Sequence, residues 1–324
     1  MKSTLAACKK VRPLLATVAV GDTVLVGVSG GADSLALAIV LFREAQEREI
    51  KVIPVVLNHN LQGGSRAIAE AAAERLRAMG YNEVIIRDLT VVVTDGMESS
   101  ARRARYEEFE RLLAEKSASA LFLAHTHNDQ AESVLLGLVR GSGGKSLSGM
   151  APINGRYLRP FLSITREETE EICRENSVEF WIDPHNNQLE FARVKIRNEL
   201  LPHFEELLGP GIADALVRSA TLLRQDGEAL DQLAAEATAA NPELDCANLA
   251  KLPVAIRSRL LRGAIYAAGA PSGSISADHV APVEALVTDW HGQGQISLPG
   301  GVKVERISGR LSLSQQKENR GPTN

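Results

Sequence analysis

The sequence predicts an α/β fold: a parallel, doubly wound sheet, followed by a smaller, mainly helical domain that ends in short strands. Three observations carry this. Across the first half of the chain, short β-type apolar runs alternate with amphipathic helical segments, the pattern of a sheet covered on both faces. Beyond Phe204 the composition turns Ala- and Leu-rich and helical. A length of 324 residues, at a prior of ~150 per domain, suggests two domains.

Each element has its own warrant. The apolar run 24–28 is the first strand, and S-G-G-A-D-S at 29–34 turns it into a helix that continues through Phe42. The run 52–57 is the second strand, although Pro54 inside it removes a ladder donor. A helix over 65–79, closed by Gly80, leads to a strand at 84–87. A helix over 98–116 leads to a fourth strand at 120–124, and another helix begins near Asn128. A helix at 200–208 joins the second domain, where helices are expected at 211–240, 248–268 and 277–287, with a break at Pro242. Strands follow at 295–298, 302–307 and 311–314, with Gly300 and Gly301 as a hairpin turn. The expected organisation is therefore a catalytic domain at 1–205, a helical domain at 206–316 and a disordered tail at 317–324.

Composition narrows the class. Hydrophobic content of 44% with 23% charged residues is ordinary for a globular protein. No apolar run approaches the ~18 residues that span a bilayer, and the N-terminus around Lys2, Lys9 and Lys10 lacks a leader's apolar core, so a cytoplasmic protein without membrane attachment is expected. Cys8, Cys173 and Cys246 are far apart, odd in number and without a C-x-x-C pair, which argues against a disulfide framework or a zinc or iron–sulfur site. A net charge of −4 does not advertise nucleic-acid binding, so local basic clusters must carry any such reading.

Two constellations bear chemistry. A strand ending in glycines brings backbone N–H groups against an anion, and the helix behind adds roughly half a positive charge, so Ser29, Gly30, Gly31, Ala32, Asp33 and Ser34 are built to hold phosphate. Asp33 cannot attract phosphate directly, which implies a divalent cation between them, and hence a nucleotide with magnesium. After the fourth strand, His125 precedes Asp129 and Glu132, two carboxylates three apart on one helical face. Such a group can coordinate a metal, orient an amine or accept its proton. Equally, Asn128 or Asp129 can serve as a helix cap and His125 can be a satisfied core residue.

The segment 29–34 matches the S-G-G-x-D-S signature of the PP-loop ATP pyrophosphatases, whose sheet is Rossmann-like. Later segments resemble the tRNA(Ile)-lysidine synthetase family within that group: H-x-x-x-D-Q-x-E-S at 125–133, R-G-S-G-G-K-S-L-S-G-M at 140–150, L-R-P-F at 158–161, W-I-D-P-H-N-N at 181–187 and F-A-R-V-K-I-R at 191–197. The resemblance covers roughly residues 20–205. It departs from the family at Asn128, where a second aspartate is frequent, at Ser133 for threonine, and at Asn58 to Gln62, where D-H-G-L-R is frequent.

The resemblance implies a two-step reaction. ATP with Mg2+ activates carbon 2 of the wobble cytidine of a CAU-anticodon tRNA(Ile), releasing pyrophosphate. The ε-amine of free L-lysine then displaces AMP to form lysidine. On this reading His125, Asp129, Arg105 and Arg193 are catalytic. His125, Asp129 and Glu132 hold lysine, and Asp33 and Asp129 hold the metal. Arg102, Arg103 and Arg105 lie in an E-x-x-A-R-x-x-R-Y segment at 98–106, and any of them that does not face phosphate is an ordinary surface arginine. Arg257, Arg259 and Arg262 are spaced to put cations on one helical face of a tRNA-gripping domain, or simply to solvate it. A homodimer is allowed.

Three competing readings remain at this level. A tRNA thiolase would ordinarily bring C-x-x-C cysteines, and an ammonia-using amidating synthetase would need no basic helical domain. A non-enzymatic nucleotide- or RNA-binding regulator would bind without turnover.

Overall fold

The computed structural model describes residues 1–58, 64–94, 96–141, 143–181 and 192–315. The chain divides into two compact units, Met1–Arg224 and Gln225–Asn324.

The first unit opens with α1 (Lys2–Leu15), whose Ala7, Cys8, Val11 and Leu15 enter the core. Charge density among the lysines hides this helix in the sequence. Its first-turn amides are held by a distant carboxylate, with Ser3 N and Thr4 N donating to Glu175 at 3.0 and 2.9 Å. The sheet then builds in order: β1 (Thr23–Val28), α2 (Ala32–Gln46), β2 (Lys51–Asn58), α3 (Ser65–Ala78), β3 (Ile85–Asp88), α4 (Met97–Glu115), β4 (Ala120–Phe122) and α5 (His127–Val139). A short helix α6 (Gly144–Leu147) precedes a hairpin of two-residue strands, β5 (Ile153–Asn154) and β6 (Tyr157–Leu158), and then α7 (Arg166–Glu175).

Among the described residues the sheet has six strands in the order β3-β2-β1-β4-β6-β5. All neighbours are parallel except the β5/β6 hairpin. Pro54 sits in the interior strand β2, opposite Val26 of β1. The β2/β3 ladder begins one residue later, at Val55 opposite Ile85, so on that side the missing donor interrupts nothing. The chain runs outward from β1 through β2 to β3, then returns to β4 on the other side of β1. That reversal is the topological switch point, and ligands in such sheets sit there, outside the carboxyl ends of the strands.

A larger core, including Leu35, Leu37, Leu41, Phe122 and Phe161, covers one set of helices, and a second, including Leu25, Ile53, Phe109, Leu112 and Leu113, covers the other. The sheet is therefore sealed on both faces, which explains why its strands read as near-continuous apolar runs.

After the undescribed stretch 182–191 come α8 (Ala192–Lys195), a π-helical turn (Ile196–Leu200), α9 (Leu201–Leu208) and α10 (Ile212–Ala240). The division between units falls inside α10, later than the expected 205/206. Ile212, Ala213, Leu216 and Val217 pack with Ala131, Leu135, Ile196 and Leu201, so the start of this helix belongs to the first unit.

The second unit holds α11 (Cys246–Ala250), α12 (Val254–Ala267), α13 (Ala277–Thr288) and an antiparallel sheet of β7 (Ile296–Leu298), β8 (Val302–Ile307) and β9 (Arg310–Gln315). The single helix expected over 248–268 is two, parted at Pro253, which stands before the first turn of α12. Gly300 and Gly301 make the β7/β8 turn with φ of +77° and +71°, a conformation that favours glycine. The expected tail lies outside the described residues.

Candidate active site

Three loops at the carboxyl edge of the sheet converge. The first is Ser29 to Ser34, after β1. Gly30 takes φ +87° because a left-handed residue is needed to turn the strand into α2, and a side chain there would also press within 3.3 Å of Ala72. Ser34 Oγ donates to Gly31 O at 3.0 Å and accepts from Ser29 N at 3.1 Å, which closes the loop on itself. Trp181 N donates to Gly30 O at 3.0 Å and braces it from outside. The loop therefore stands preformed at the start of α2, whose first-turn amides and dipole suit an anion.

Asp33 lies in that first turn. Burial pushes its carboxyl above the usual aspartate range and the charge of Asp129 adds to this, while the Thr169 hydroxyl, Arg166 and Arg197 oppose it. The hydroxyl of Thr169, a residue with no solvent exposure on α7, donates to Asp33 Oδ1. This contact spans 136 residues of chain, beyond the reach of any local pattern.

The second loop follows β4. Thr126 and Asp129 form a reciprocal cap on α5: Thr126 N and Oγ1 donate to Asp129 Oδ2 at 2.8 and 3.0 Å. The capping role belongs to Asp129, while Asn128 Oδ1 instead accepts from Arg166 N at 3.2 Å. Asp129 Oδ1 accepts from Arg197 Nη2 at 3.2 Å, and Glu132 Oε1 accepts from Arg197 Nε at 2.6 Å. Asp129 and Glu132 thus share a face, as their spacing requires, and one guanidinium spans both. The residue that does so is Arg197. Arg193 donates to Ser133 Oγ at 3.2 Å. The π-helical turn beginning at Ile196 changes the angular step, and such turns often mark functional positions.

Glu132 has no solvent exposure, and its Oε2 has no partner. Burial raises its carboxyl pKa against the pull of Arg197. His125 is the reverse case. Burial pushes its pKa down to about 3; Asp129 opposes this, and the positive charges of Arg159, Arg105 and Arg193 reinforce it. The imidazole is therefore neutral at pH 7, with Nδ1 unpartnered. A neutral ring this weakly basic offers a hydrogen bond and makes a poor proton acceptor.

Arg105 is half-buried and stands 5.8 Å from the Tyr106 ring centroid, with Arg102 at 5.0 Å. Arg103 turns elsewhere, donating to Thr94 Oγ1.

The third loop follows β6 and carries Arg159, 5% exposed, whose Nη1 donates to Ala151 O at 3.2 Å. Among the described residues, five buried side-chain polar atoms have no partner. Four belong to this region: Tyr106 Oη, His125 Nδ1, Glu132 Oε2 and Arg159 Nε.

The segment from Arg140 to Met150 is anchored at its end. Gln130 grips Met150 twice, donating to its carbonyl at 2.8 Å and accepting from its amide at 2.6 Å. Arg224 Nη1 donates to Ser148 O and Met150 O. Gly137 lets α5 approach so closely that a Cβ would stand 2.6 Å from Ser146 O.

In the second unit two of the three arginines of the expected basic face are engaged within the fold. Arg257 is 7% exposed, with Nε on Glu284 at 3.0 Å and Nη1 on Leu252 O at 2.9 Å. Arg259 pairs with Asp231 at 2.8 Å. Helical spacing put the three arginines near one face, but packing against α13 took Arg257 inside.

A family model for the PP-loop domain matches residues 4–204, and one for the TilS substrate binding domain matches residues 244–312. The chain is 46% identical to the tRNA(Ile)-lysidine synthase of Streptomyces coelicolor over 299 residues, covering 90% of this chain and 85% of that protein. The chain belongs to the tRNA(Ile)-lysidine synthase family. The Thermobifida fusca tRNA(Ile)-lysidine synthase is 44% identical, covering 94% of this chain and 95% of that one. The U34-tRNA thiolase NcsA of Methanococcus maripaludis, with its [4Fe-4S] cluster, shares the fold at a TM-score of 0.57 and 20% identity, over 68% of this chain and 80% of its own. The lysidine synthase family consists of ATP-dependent ligases of the PP-loop group that modify tRNA. No helix among the described residues is long and apolar enough to cross a membrane.

Proposed function

We propose that this chain makes lysidine: it adenylates the wobble cytidine of a CAU-anticodon tRNA(Ile) and transfers free L-lysine through its ε-amine, releasing AMP and pyrophosphate. One observation carries the acceptor assignment. Beside a preformed phosphate loop stands a fully buried carboxylate, Glu132, with one oxygen bound to Arg197 and the other unpartnered. A buried carboxylate oxygen without a donor is costly, and an ammonium would satisfy it.

The roles follow from the geometry. The loop from Ser29 to Ser34 binds the polyphosphate and holds the leaving pyrophosphate in place. Asp33 and Asp129 would hold Mg2+. Among the described residues no group of three His, Cys, Asp or Glu could enclose a metal, but Mg2+ is ordinarily held by one or two carboxylates together with substrate phosphates and water. When bound, the ion would neutralise charge developing on the phosphates. Thr169 orients Asp33. Glu132 binds the lysine ammonium, and its raised proton affinity makes it a better acceptor for the departing proton than the neutral His125. His125, Arg105 and Arg193 line the adenylate side.

The cytoplasm and a homodimer are the expected setting. Gel filtration with light scattering at twice the single-chain mass would support the dimer.

The deciding experiment is transfer of radiolabelled lysine to CAU-anticodon tRNA(Ile), with ATP and Mg2+, against elongator tRNA(Met). Label on the isoleucine tRNA alone is expected. Absence of label with intact ATP binding would return the acceptor to the other PP-loop chemistries. Asp33→Ala is expected to lower tRNA-dependent pyrophosphate release on the order of 10³-fold, the scale of losing a principal charge-stabilising group.

A further inference from the structure

We infer that Arg159, with Arg105, Tyr106 and His125, forms a seat for a single phosphate of a nucleotide ligand, separate from the Ser29 to Ser34 loop. This inference rests on the proposed tRNA-modifying reaction.

Placement comes first. Ser29 follows β1, His125 follows β4 and Arg159 follows β6, and these strands are neighbours running parallel. Arg159 is therefore at the carboxyl edge of the sheet, one strand beyond the imidazole.

The charge inventory comes next. Arg159 is 95% buried and makes no ion pair among the described residues; Nη1 donates to Ala151 O, the guanidinium lies close enough to the neutral Tyr106 hydroxyl to interact with it, and Nε is unpartnered. A buried guanidinium with no carboxylate is a large desolvation cost that a tie to one carbonyl and a neutral phenol does not offset. Arg257 in the second unit is the contrast, equally buried but with a carboxylate and two carbonyls around it.

The neighbours point the same way. Arg105 has no anionic partner among the described residues, and Arg102 lies against the same Tyr106 ring. Tyr106 Oη and His125 Nδ1 are buried without partners. Two guanidiniums, a phenol and an imidazole, all short of an acceptor or a donor, suit a tetrahedral oxyanion with several acceptor oxygens. A carboxylate ligand would satisfy fewer of them.

The phosphate has two sources: the α-phosphate of ATP, or a backbone phosphate beside the target cytidine. The test is direct binding on the full chain, so it does not depend on lysine transfer. A non-hydrolysable ATP analogue with Mg2+ and, separately, tRNA(Ile) are titrated against wild type, Arg159→Met, Arg159→Lys and Arg105→Gln.

Expected is a loss of at least tenfold in one of the two affinities for Arg159→Met and Arg105→Gln, with the other affinity within twofold and partial recovery in Arg159→Lys. If RNA supplies the phosphate, the log–log salt slope for tRNA also becomes shallower by about 1. If ATP supplies it, that slope is unchanged. Both affinities within twofold of wild type, in variants that melt normally, would overturn the seat and leave Arg159 as a structural tie. If Arg159→Met does not fold, Arg105→Gln, which breaks no recorded hydrogen bond, decides by the same criteria. Failure of lysine transfer in wild type would defeat the proposed reaction and leave these binding outcomes readable.

Discussion

Each unit has an arginine–glutamate pair with one buried member, Glu132 in the first and Arg257 in the second, and the two pairs are finished differently. In the second unit Arg257 is 7% exposed, its Nε is on Glu284, and its Nη1 is on the carbonyls of Leu252 and Ala250. In the first, Glu132 has no exposure, Arg197 covers one oxygen, and the other oxygen faces no donor. A complete pair in a core is an element of stability. An incomplete one, beside a phosphate loop, is a vacancy for charge. The difference lies less in the residue types than in the count of satisfied atoms.

That contrast can be broken at several points. Glu284→Ala leaves Arg257 buried without its anion and is expected to cost about 3 kcal/mol, read as a shift in the urea midpoint. Lysine transfer per folded molecule at saturating tRNA should not change; a large fall would mean the pair is not merely structural. Glu132→Gln is the opposite case. Lysine transfer should drop about 100-fold, the scale of a lost hydrogen bond to a charged group, while pyrophosphate release stays within a few-fold. Equal loss of both half-reactions would sink the lysine assignment.

The next test is thermodynamic. His125 has a folded pKa of about 3, below its unfolded value near 6.5, so between those values the unfolded chain binds the extra proton. Its contribution to stability is whole above pH ~6.5 and is lost as pH falls toward 3, about 2 kcal/mol of it by pH 5. His125→Asn should flatten that part of the stability–pH curve relative to wild type. An unchanged slope would mean the imidazole is not buried in its neutral form. The smallest effect is expected from Thr169→Val, which removes one hydroxyl from Asp33. The Mg2+ concentration for half-maximal pyrophosphate release should rise about fivefold, equivalent to ~1 kcal/mol, with Thr169→Ser near wild type.

Much of the catalytic architecture was legible in the sequence because it is local. A phosphate loop is six consecutive residues, the His125 to Glu132 group spans eight, and strands sealed on both faces announce themselves as apolar runs. What escaped is long-range or too short to pattern. The two-residue strands β5 and β6 have no periodicity to detect, yet they set Arg159 at the sheet edge. The helices α1 and α7 are amphipathic, but their many charges mask the apolar stripe in the sequence. Arg193 and Arg197 are one turn apart and indistinguishable by composition; the π-helical turn decides between them. The hydroxyl of Thr169 meets Asp33 only after the chain has folded. In the second unit, spacing suggested a basic face, and packing removed Arg257 from it.

The cap formed by Thr126 and Asp129 has a bearing on protein engineering. The carboxylate that faces Arg197 is also the one that starts α5, so a library that randomises Asp129 would sample frayed helices along with altered chemistry. Glu132, one turn further in, carries no such duty. An effort to make the protein accept a different amine should therefore vary Glu132 and the groups around it while keeping Asp129 fixed.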